Sequence, residues 1–376
     1  MRLLDRYLLR ELLMPFSLCL SGFIILYTMV DWAFNRDDFQ EHALRAGDIF
    51  EYYAVKMPGF LVLLLPIALL LALLYTLSHH ARYNEITAIR AAGVSIWRLA
   101  LPYMIVGLTA TASIFAMNEF LVSKSEERAD RIMSRYQTQK NVPDRTLIQN
   151  FGFTNARDNR KWRAGTYNLN TSEMTDITII WTAKDKSERW LYAERGRPVE
   201  PGWVFSNVRE YYKSPATNSQ LVPTILTNTL AMPEFSETRE SLQSEVKISE
   251  RLRKLQKGKI SRGEIPIREI LEYLRFHPNM VPGDRSWLHT VLHGRLASPW
   301  KCIVVVLIAL PFGAASGRRN VFVGVASSIF ICLAFHFTSE FSLALGSGGY
   351  IEPWIGGWLP NIAFGIAGLW MTARVR

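Results

Sequence analysis

Residues 58–77 read PGFLVLLLPIALLLALLYTL, and no side chain in this stretch carries a charge. The hydrocarbon core of a bilayer is about 30 Å thick, and a helix that rises about 1.5 Å per residue crosses it in about 20 residues. This stretch therefore has the length and the composition of one transmembrane helix.

Similar stretches recur along the chain, and the sequence predicts six transmembrane spans. The other five are expected at residues 12–30, 99–120, 297–315, 321–341 and 353–371. Of the 43 Lys and Arg residues, 28 lie between Lys124 and Arg285, as do 21 of the 33 Asp and Glu residues. The spans are thus nearly free of charge, which excludes a soluble enzyme, a disordered protein and a disulfide-stapled secreted scaffold.

The cysteines and the first apolar run agree with this interpretation. Cys19, Cys302 and Cys332 all lie in apolar stretches, so neither a disulfide nor a thiolate metal site is expected. The first run is long for a signal peptide and lacks an obvious small-x-small cleavage site, so we expect it to be retained as a membrane anchor.

Lys and Arg near the span ends are distributed unequally, which predicts the orientation. One side carries Arg2, Arg6, Arg10, Arg82, Arg90, Arg98, Arg318, Arg319, Arg374 and Arg376. The short loops on the other side hold Arg36, Arg45 and Lys56 beside several acidic residues. We therefore expect a multi-pass inner-membrane protein with both termini in the cytoplasm and the large charged insert in the periplasm.

The insert at 124–288 separates three spans in residues 1–123 from three in residues 289–376. Between about 137 and 233, short β-branched or aromatic runs alternate with turn residues, which predicts an antiparallel sandwich or a jelly roll. Leu and Ile then recur at helical spacing at 244–256 and again at 267–276, so a helical return segment is expected at 244–288. The predicted fold class is a membrane α-helical bundle with an inserted all-β periplasmic domain of jelly-roll type.

A short segment on the predicted cytoplasmic side, residues 82–95, reads RYNEITAIRAAGVS. It is rich in Ala and lacks Pro, so a helix is expected, with Gly93 at its end. Asn84 or the preceding turn is expected to cap this helix, and Glu85 suits the positive end of the helix dipole. Such a helix either transmits force from a soluble partner or lies passively at the lipid headgroups.

Four stretches give the sequence a family resemblance. They are Leu4-Asp5-Arg6-Tyr7, the run from Asn84 to Ser95, His293-Gly294-Arg295-Leu296-Ala297-Ser298-Pro299, and Trp358-Leu359-Pro360-Asn361. In these residues, and over nearly its whole length, the chain resembles the lipopolysaccharide-export permease family of the LptF/LptG (YjgP/YjgQ) type. The resemblance implies six spans with a periplasmic β-jellyroll between the third and the fourth.

The resemblance also implies partners. Family members act in an ABC-type exporter, in which a permease pairs with a second permease and with a dimeric cytoplasmic ATPase. The helix that matches 82–95 is the coupling helix, which implies ATPase-coupling roles for Asn84, Glu85, Ile86, Ile89, Arg90 and Gly93. Glu85 would meet a basic residue of the ATPase, with Ile86 and Ile89 packed beside it.

ATP with its magnesium is expected on the partner ATPase, and this chain is expected to bind no cofactor. The sequence has no Gly-x-x-x-x-Gly-Lys-Ser/Thr loop, and Gly346-Ser347-Gly348-Gly349 lacks the required lysine. No catalytic residues are predicted, because no Ser-His-Asp, Cys-His or paired-carboxylate arrangement is evident. His289 and His293 share a helical face, but no third ligand accompanies them, so no metal site is predicted.

Lipopolysaccharide joins acyl chains to phosphorylated sugars, so its permease needs an apolar cavity with cations at the outer rim. In the family, basic residues just past span one contact the phosphates, and spans one and five form the lateral gate. This chain departs from the lysine-rich pattern of some members and offers Arg36 followed by Asp37 and Asp38. The predicted lipid-binding residues are Arg36, Lys56, Lys301, His336 and Glu340. Arg36, Lys301, His336 and Glu340 also have a plainer interpretation, as ionisable side chains that reach the interface.

The predicted function is extraction of lipopolysaccharide from the inner membrane and its transfer through the β domain to a bridge of similar periplasmic jelly rolls. Membrane lipid is a further expected partner, and nucleic acid is not. One alternative is a membrane-anchored envelope assembly or sensor protein whose β domain binds a partner. Another is a membrane-embedded enzyme acting on lipid headgroups, although the polar candidates are scattered along the chain.

Overall fold

The computed structural model describes residues 3–136, 147–155, 158–182, 187–199, 202–213, 222–256, 265–278, 280–314 and 321–374. The chain divides into two compact units, Met1–Tyr136 with Arg285–Arg376, and Gln137–Asp284. The first unit is helical, and the second is built on a β-sheet.

In chain order, the described helices are α1 (Leu3–Glu41), α2 (Ala46–Arg82), α3 (Glu85–Ala91), α4 (Ile96–Ala116), α5 (Ser123–Met133), α6 (Arg239–Gln256), α7 (Ile267–Phe276), α8 (Pro282–Ala297), α9 (Lys301–Ala314), α10 (Val321–Ser347) and α11 (Pro353–Arg374). A π-helical turn, Met117–Val122, joins α4 to α5, and a 3-10 turn, Ser298–Trp300, joins α8 to α9. Because α5 continues this helix and packs on α2, the helical unit extends past the boundary predicted at residue 123.

Among the described residues, five helical stretches are long and apolar enough to cross a membrane. They are Leu3–Glu41, Ala46–Arg82, Ile96–Val122, Pro282–Pro311 and Ala326–Ser347. These are the first five predicted spans, and several are longer than predicted because the helix continues through polar residues that the hydropathy pattern leaves out.

The predicted sixth span, 353–371, is also a helix but is not one of these five. α11 is 22 residues long, or about 33 Å, which is enough to cross a bilayer core. Pro360, Asn361 and several glycines interrupt its apolar side chains and lower its mean hydropathy. The structure therefore has five strongly apolar spans and a sixth, less apolar helix of spanning length.

α2 lies at the centre of the helical unit. It packs on α1, α9 and α10, and its leucines Leu69, Leu70, Leu73 and Leu74 are almost completely buried. α1 and α10 are much less buried than α2. In the most apolar window of 18 residues in each helix, 0% of α1 and 11% of α10 are buried, against 61% of α2. α1 and α10 therefore present most of their apolar surface outward.

The second unit contains a six-stranded antiparallel sheet of β1 (Leu147–Asn155), β2 (Arg160–Asn168), β3 (Met174–Thr182), β4 (Glu188–Pro198), β5 (Trp203–Lys213) and β6 (Val222–Met232). Strands that are neighbours in the sheet are also consecutive in the chain. The inserted all-β domain is confirmed, but these strands form a meander, whereas a jelly roll has Greek-key connections. Tight turns allow this, since Ser172 and Gly202 adopt positive φ between consecutive strands.

α6 covers an apolar face of this sheet. The buried cluster contains Phe151, Phe153, Trp162, Trp203 and Phe205 from the strands, together with Phe235, Leu242 and Val246 from the segment that follows them. The indole N–H of Trp203 donates to the main-chain oxygen of Glu237 over 2.9 Å. The helices expected at 244–256 and 267–276 correspond to α6, which begins earlier, and to α7.

Candidate functional site

The segment predicted as a helix at 82–95 forms the short connection between α2 and α4. α3 covers only Glu85–Ala91, and Asn84 precedes it in the left-handed conformation with a φ of 58°. The Asn84 side chain makes no capping hydrogen bond, so the structure does not support the capping role expected for it. Asn tolerates the left-handed conformation better than most residues, which allows the sharp turn between α2 and α3.

Gly93 ends α3, as its position in the sequence predicted. It has a φ of 84°, and its N–H donates to the carbonyl of Arg90 over 2.9 Å while the N–H of Val94 donates to that of Ile89 over 3.3 Å. This pair of bonds is a Schellman motif, in which the residue with positive φ is usually glycine.

The two isoleucines of α3 face the chain's own core. Ile86 is 5% exposed and belongs to the main buried cluster of the helical unit, and Ile89 packs against that cluster. Thr87, Ala88 and Ala91 are exposed. The surface of α3 that is open to a partner is therefore lined by small side chains.

Glu85 is bound from within the chain. Its Oε2 accepts a hydrogen bond of 2.9 Å from the hydroxyl of Tyr7 in α1, and one of 2.7 Å from Nδ1 of His80 in α2. The His80 side chain is 1% exposed and the Glu85 side chain 31%. One carboxylate therefore joins α1, α2 and α3, although sequence reasoning assigned it to the ATPase alone.

A second contact lies at the other end of the α3 connection. The guanidinium of Arg98, in the first turn of α4, lies 2.8 Å from the carboxylate of Asp5 in α1. Ser95 begins α4 by accepting a hydrogen bond from the main-chain N–H of Arg98. Two of the resemblance motifs, residues 4–7 and 84–95, thus lie close together at the start of α1.

Sequence reasoning missed Tyr7 and His80 as functional candidates. Tyr7 belongs to a quoted motif, and His80 follows His79 at the end of a long apolar stretch. A buried histidine in that setting usually has a polar partner. Tyr7 and Glu85, however, are 78 positions apart, and a single sequence contains no pattern that indicates a contact over this separation.

Another buried charged side chain connects the fourth span to the end of the third. Arg295 in α8 has a side chain that is 2% exposed, and it donates to the main-chain oxygen of Asn118 over 3.4 Å. Its guanidinium also lies 3.6 Å from Glu119. Asn118 and Glu119 belong to the π-helical turn, a rare geometry that is frequent at functional sites. Arg295 belongs to one of the four resemblance motifs, but its position in the sequence gives no indication of this contact.

The remaining two motifs meet at the break between α8 and α9. Pro299 has no N–H and interrupts the helix there. The side chain of Asn361 donates to the carbonyl of Ala297 over 2.7 Å, and Thr111 donates to that of Pro299 over 3.0 Å. Side chains from other helices thus satisfy carbonyls at the break, as a membrane interior requires.

Two of the predicted lipid-binding residues lie on α1 and α2. Arg36 is exposed near the end of α1, and the ammonium of Lys56 lies 4.9 Å from the ring centroid of Tyr52. Nearby, Arg135 forms an ion pair with Asp48, a contact that sequence reasoning did not anticipate.

The other three predicted lipid-binding residues lie on α9 and α10. Lys301 begins α9, and its ammonium lies 5.7 Å from the ring centroid of Phe335 in α10. His336 and Glu340 are exposed on α10. Within the described part of the chain, no group of three His, Cys, Asp or Glu side chains is arranged to hold a metal ion.

These features define a polytopic membrane protein with a β module inserted between its third and fourth spans and a short, anchored helix between its second and third. Residues 6–374 match the family model described as lipopolysaccharide export system permease LptF/LptG, and the chain belongs to this family. It is therefore a multi-pass lipopolysaccharide-export permease of the inner membrane. A comparison with curated proteins finds no significant match.

Proposed function

We propose that the chain is one permease subunit of an ABC-type exporter, with ATP hydrolysed on a separate cytoplasmic ATPase dimer. The observation that carries the proposal is the geometry of α3, which exposes a face of small side chains and lies between two contacts to α1, one from Glu85 at its beginning and one from Arg98 in the first turn of α4. A groove on an ATPase fits closely against such a face. Arg90, half-buried in the last turn of α3, remains a proposed coupling residue.

The orientation in this proposal follows the charges at the span ends. The arginine-rich ends, which include α3, lie in the cytoplasm together with both termini. The unit built on the β-sheet then lies in the periplasm. ATP-driven closure of the ATPase would press the α3 helices of two permeases together and close the cavity between them.

The second permease packs against α1 and α10 in this proposal. The support is that these two spans are the least buried, with 0% and 11% of their most apolar windows covered. The resemblance assigned the lateral gate to spans one and five, which correspond to α1 and α10. Lipopolysaccharide would enter between them, close to Arg36, Lys56, Lys301, His336 and Glu340.

Transfer to the periplasmic bridge is proposed to use the edge of the sheet. β6 pairs with β5 among the described strands, and its other edge is available to extend a neighbour's sheet by β-augmentation. A jelly roll of the bridge would add its own strand there and continue the path of the lipid.

Purification and depletion together test the proposed function. A tagged chain should purify with a second permease of the family and with an ATPase, and depletion of the chain should trap newly made lipopolysaccharide in the inner membrane. If the ATPase is missing from the purified material, or if lipopolysaccharide still reaches the outer membrane, the proposal is wrong. A sensor or assembly protein would leave the lipid's route unchanged.

A further inference from the structure

We propose that Glu85 transmits the movement of α3 to α1 from inside the chain, with Tyr7 and His80 as the residues that position its carboxylate. This inference rests on the proposed function, because it concerns how a displacement of α3 by an ATPase reaches the spans. If Glu85 only bound a basic residue of the ATPase, Tyr7 and His80 would have no role in coupling the ATPase to transport.

The first support is the convergence of two donors on one oxygen. Tyr7 and His80 both donate to Oε2 of Glu85, over 2.9 and 2.7 Å. Hydrogen bonds to an ionised group are about twice as strong as neutral ones, and His80 is shielded from competing water because its side chain is 1% exposed. The rings of Tyr7 and His80 also lie 5.8 Å apart, so the three side chains form one cluster.

The second support is the position of the contacts on α1. Tyr7 holds Glu85 at the beginning of α3, and Asp5 holds Arg98 just beyond its end. Both contacts come from the first two turns of α1. A displacement of α3 and the start of α4 away from α1 therefore pulls on the start of α1.

The third support is the exposure of α1. α1 packs on α2, and Asp5, Leu8 and Leu12 are buried near its beginning, but none of its most apolar window is buried in the chain. A link at Tyr7 therefore acts on the candidate span whose most apolar window is the least buried of the five.

The test uses the complete complex of the chain, its companion permease and the ATPase, reconstituted in vesicles that contain lipopolysaccharide. Tyr7→Phe removes one hydroxyl and keeps the ring. We expect the ATPase to co-purify as before and ATP hydrolysis to continue, while the lipopolysaccharide released per ATP falls about tenfold, the effect of losing a hydrogen bond to a charged group. Tyr75→Phe is the control, since Tyr75 in α2 is 43% exposed against 40% for Tyr7 and has no contact with Glu85 among the hydrogen bonds described.

A second pair of variants separates positioning from folding. His80→Asn retains a polar group near the position of Nδ1, so it should keep more lipopolysaccharide release per ATP than His80→Ala at a similar thermal stability. The inference is wrong if Tyr7→Phe releases as much lipid per ATP as the unmodified complex, or if it instead loses the ATPase on purification. Failure of the proposed function is distinct, because the unmodified chain would then purify without an ATPase.

Discussion

The side chain of Asn361 in α11 donates a 2.7 Å hydrogen bond to the main-chain oxygen of Ala297, at the point where α8 gives way to a 3-10 turn. Two stretches that sequence comparison treats as separate motifs are therefore one structural feature. The same contact explains why a polar residue interrupts the sixth helix, since it satisfies the carbonyl of Ala297, a residue that is 2% exposed.

Replacement of Asn361 should destabilise the helical unit. Asn361→Ala leaves the Ala297 carbonyl without this donor, at a cost of about 1 to 3 kcal/mol in the free energy of unfolding. Asn35→Ala is the control, because Asn35 donates within its own helix to the carbonyl of Asp31. Thermal unfolding of the purified chain in detergent compares the two, and equal effects would contradict the assigned role.

Substitution of Arg295 should lower the free energy of unfolding more than substitution of most other residues of the helical unit. Arg295→Met removes a buried cation and leaves Glu119 without it, which typically costs about 3 to 5 kcal/mol. Arg285→Met changes an exposed arginine of the same helix and should have little effect. Adding Glu119→Gln to Arg295→Met should recover part of the loss; a double variant as unstable as the sum of the two single ones would show that the pair does not interact.

Glycine should be favoured at position 93 because of the backbone conformation there, and not because a side chain would lack space. A Cβ at this position would meet no atom within 4 Å, but the φ of 84° is unfavourable for other residues. Gly93→Ala should therefore cost about 1 kcal/mol, and Gly93→Asn less, because Asn tolerates positive φ. Gly47→Ala offers equal space without the unusual φ and should be neutral or slightly stabilising in the same thermal unfolding assay.

Glu245 in α6 should make the stability of the β unit depend on pH. Burial raises its pKa to about 7, and Asp284 adds to the shift while a hydrogen bond from Tyr273 opposes it. His277, whose Nε2 lies 3.3 Å from Glu245, has a pKa lowered by burial. An acid with a raised pKa binds more protons in the folded state, so it favours folding more as the pH falls through about 7.

Between about pH 8 and pH 6.5, this effect should raise the free energy of unfolding by about 1 kcal/mol. At lower pH, His277 has the opposite effect on the free energy of unfolding. Its buried ring binds a proton less readily than the same ring in the unfolded chain, so a falling pH favours the unfolded state. Glu245→Gln should remove the dependence above about pH 6.5, and Glu240→Gln, on the exposed face of α6, should retain it. Urea unfolding of the full chain, followed by pulse proteolysis of the β unit, measures this; an unchanged slope in Glu245→Gln would refute it.

The sequence predicted the elements of the fold because their signals are local. An uncharged run such as 58–77 needs no distant information to be recognised as a span, and the spacing of Leu and Ile in 267–276 matches α7 without adjustment. The sequence predicted an antiparallel sandwich or a jelly roll and did not distinguish either from a meander, because hydropathy alternation along the strands is the same in all three.

The candidate site was only partly predictable for the same reason. Gly93 was recognised because helix ends follow short-range rules. The contacts of Glu85 with Tyr7, and of Arg295 with Asn118, join residues 78 and 177 positions apart. Only the packing of the helices brings these residues together.

The length of α1 has a mechanical consequence. Its 39 residues make a rod about 58 Å long, nearly twice the thickness of the hydrocarbon core. A tilt of about 5° at the end that carries Asp5 and Tyr7 would sweep the opposite tip, beyond Arg36, through about 5 Å. A small stroke at one surface of the membrane would in this way be magnified into a displacement comparable to the width of an acyl chain at the other.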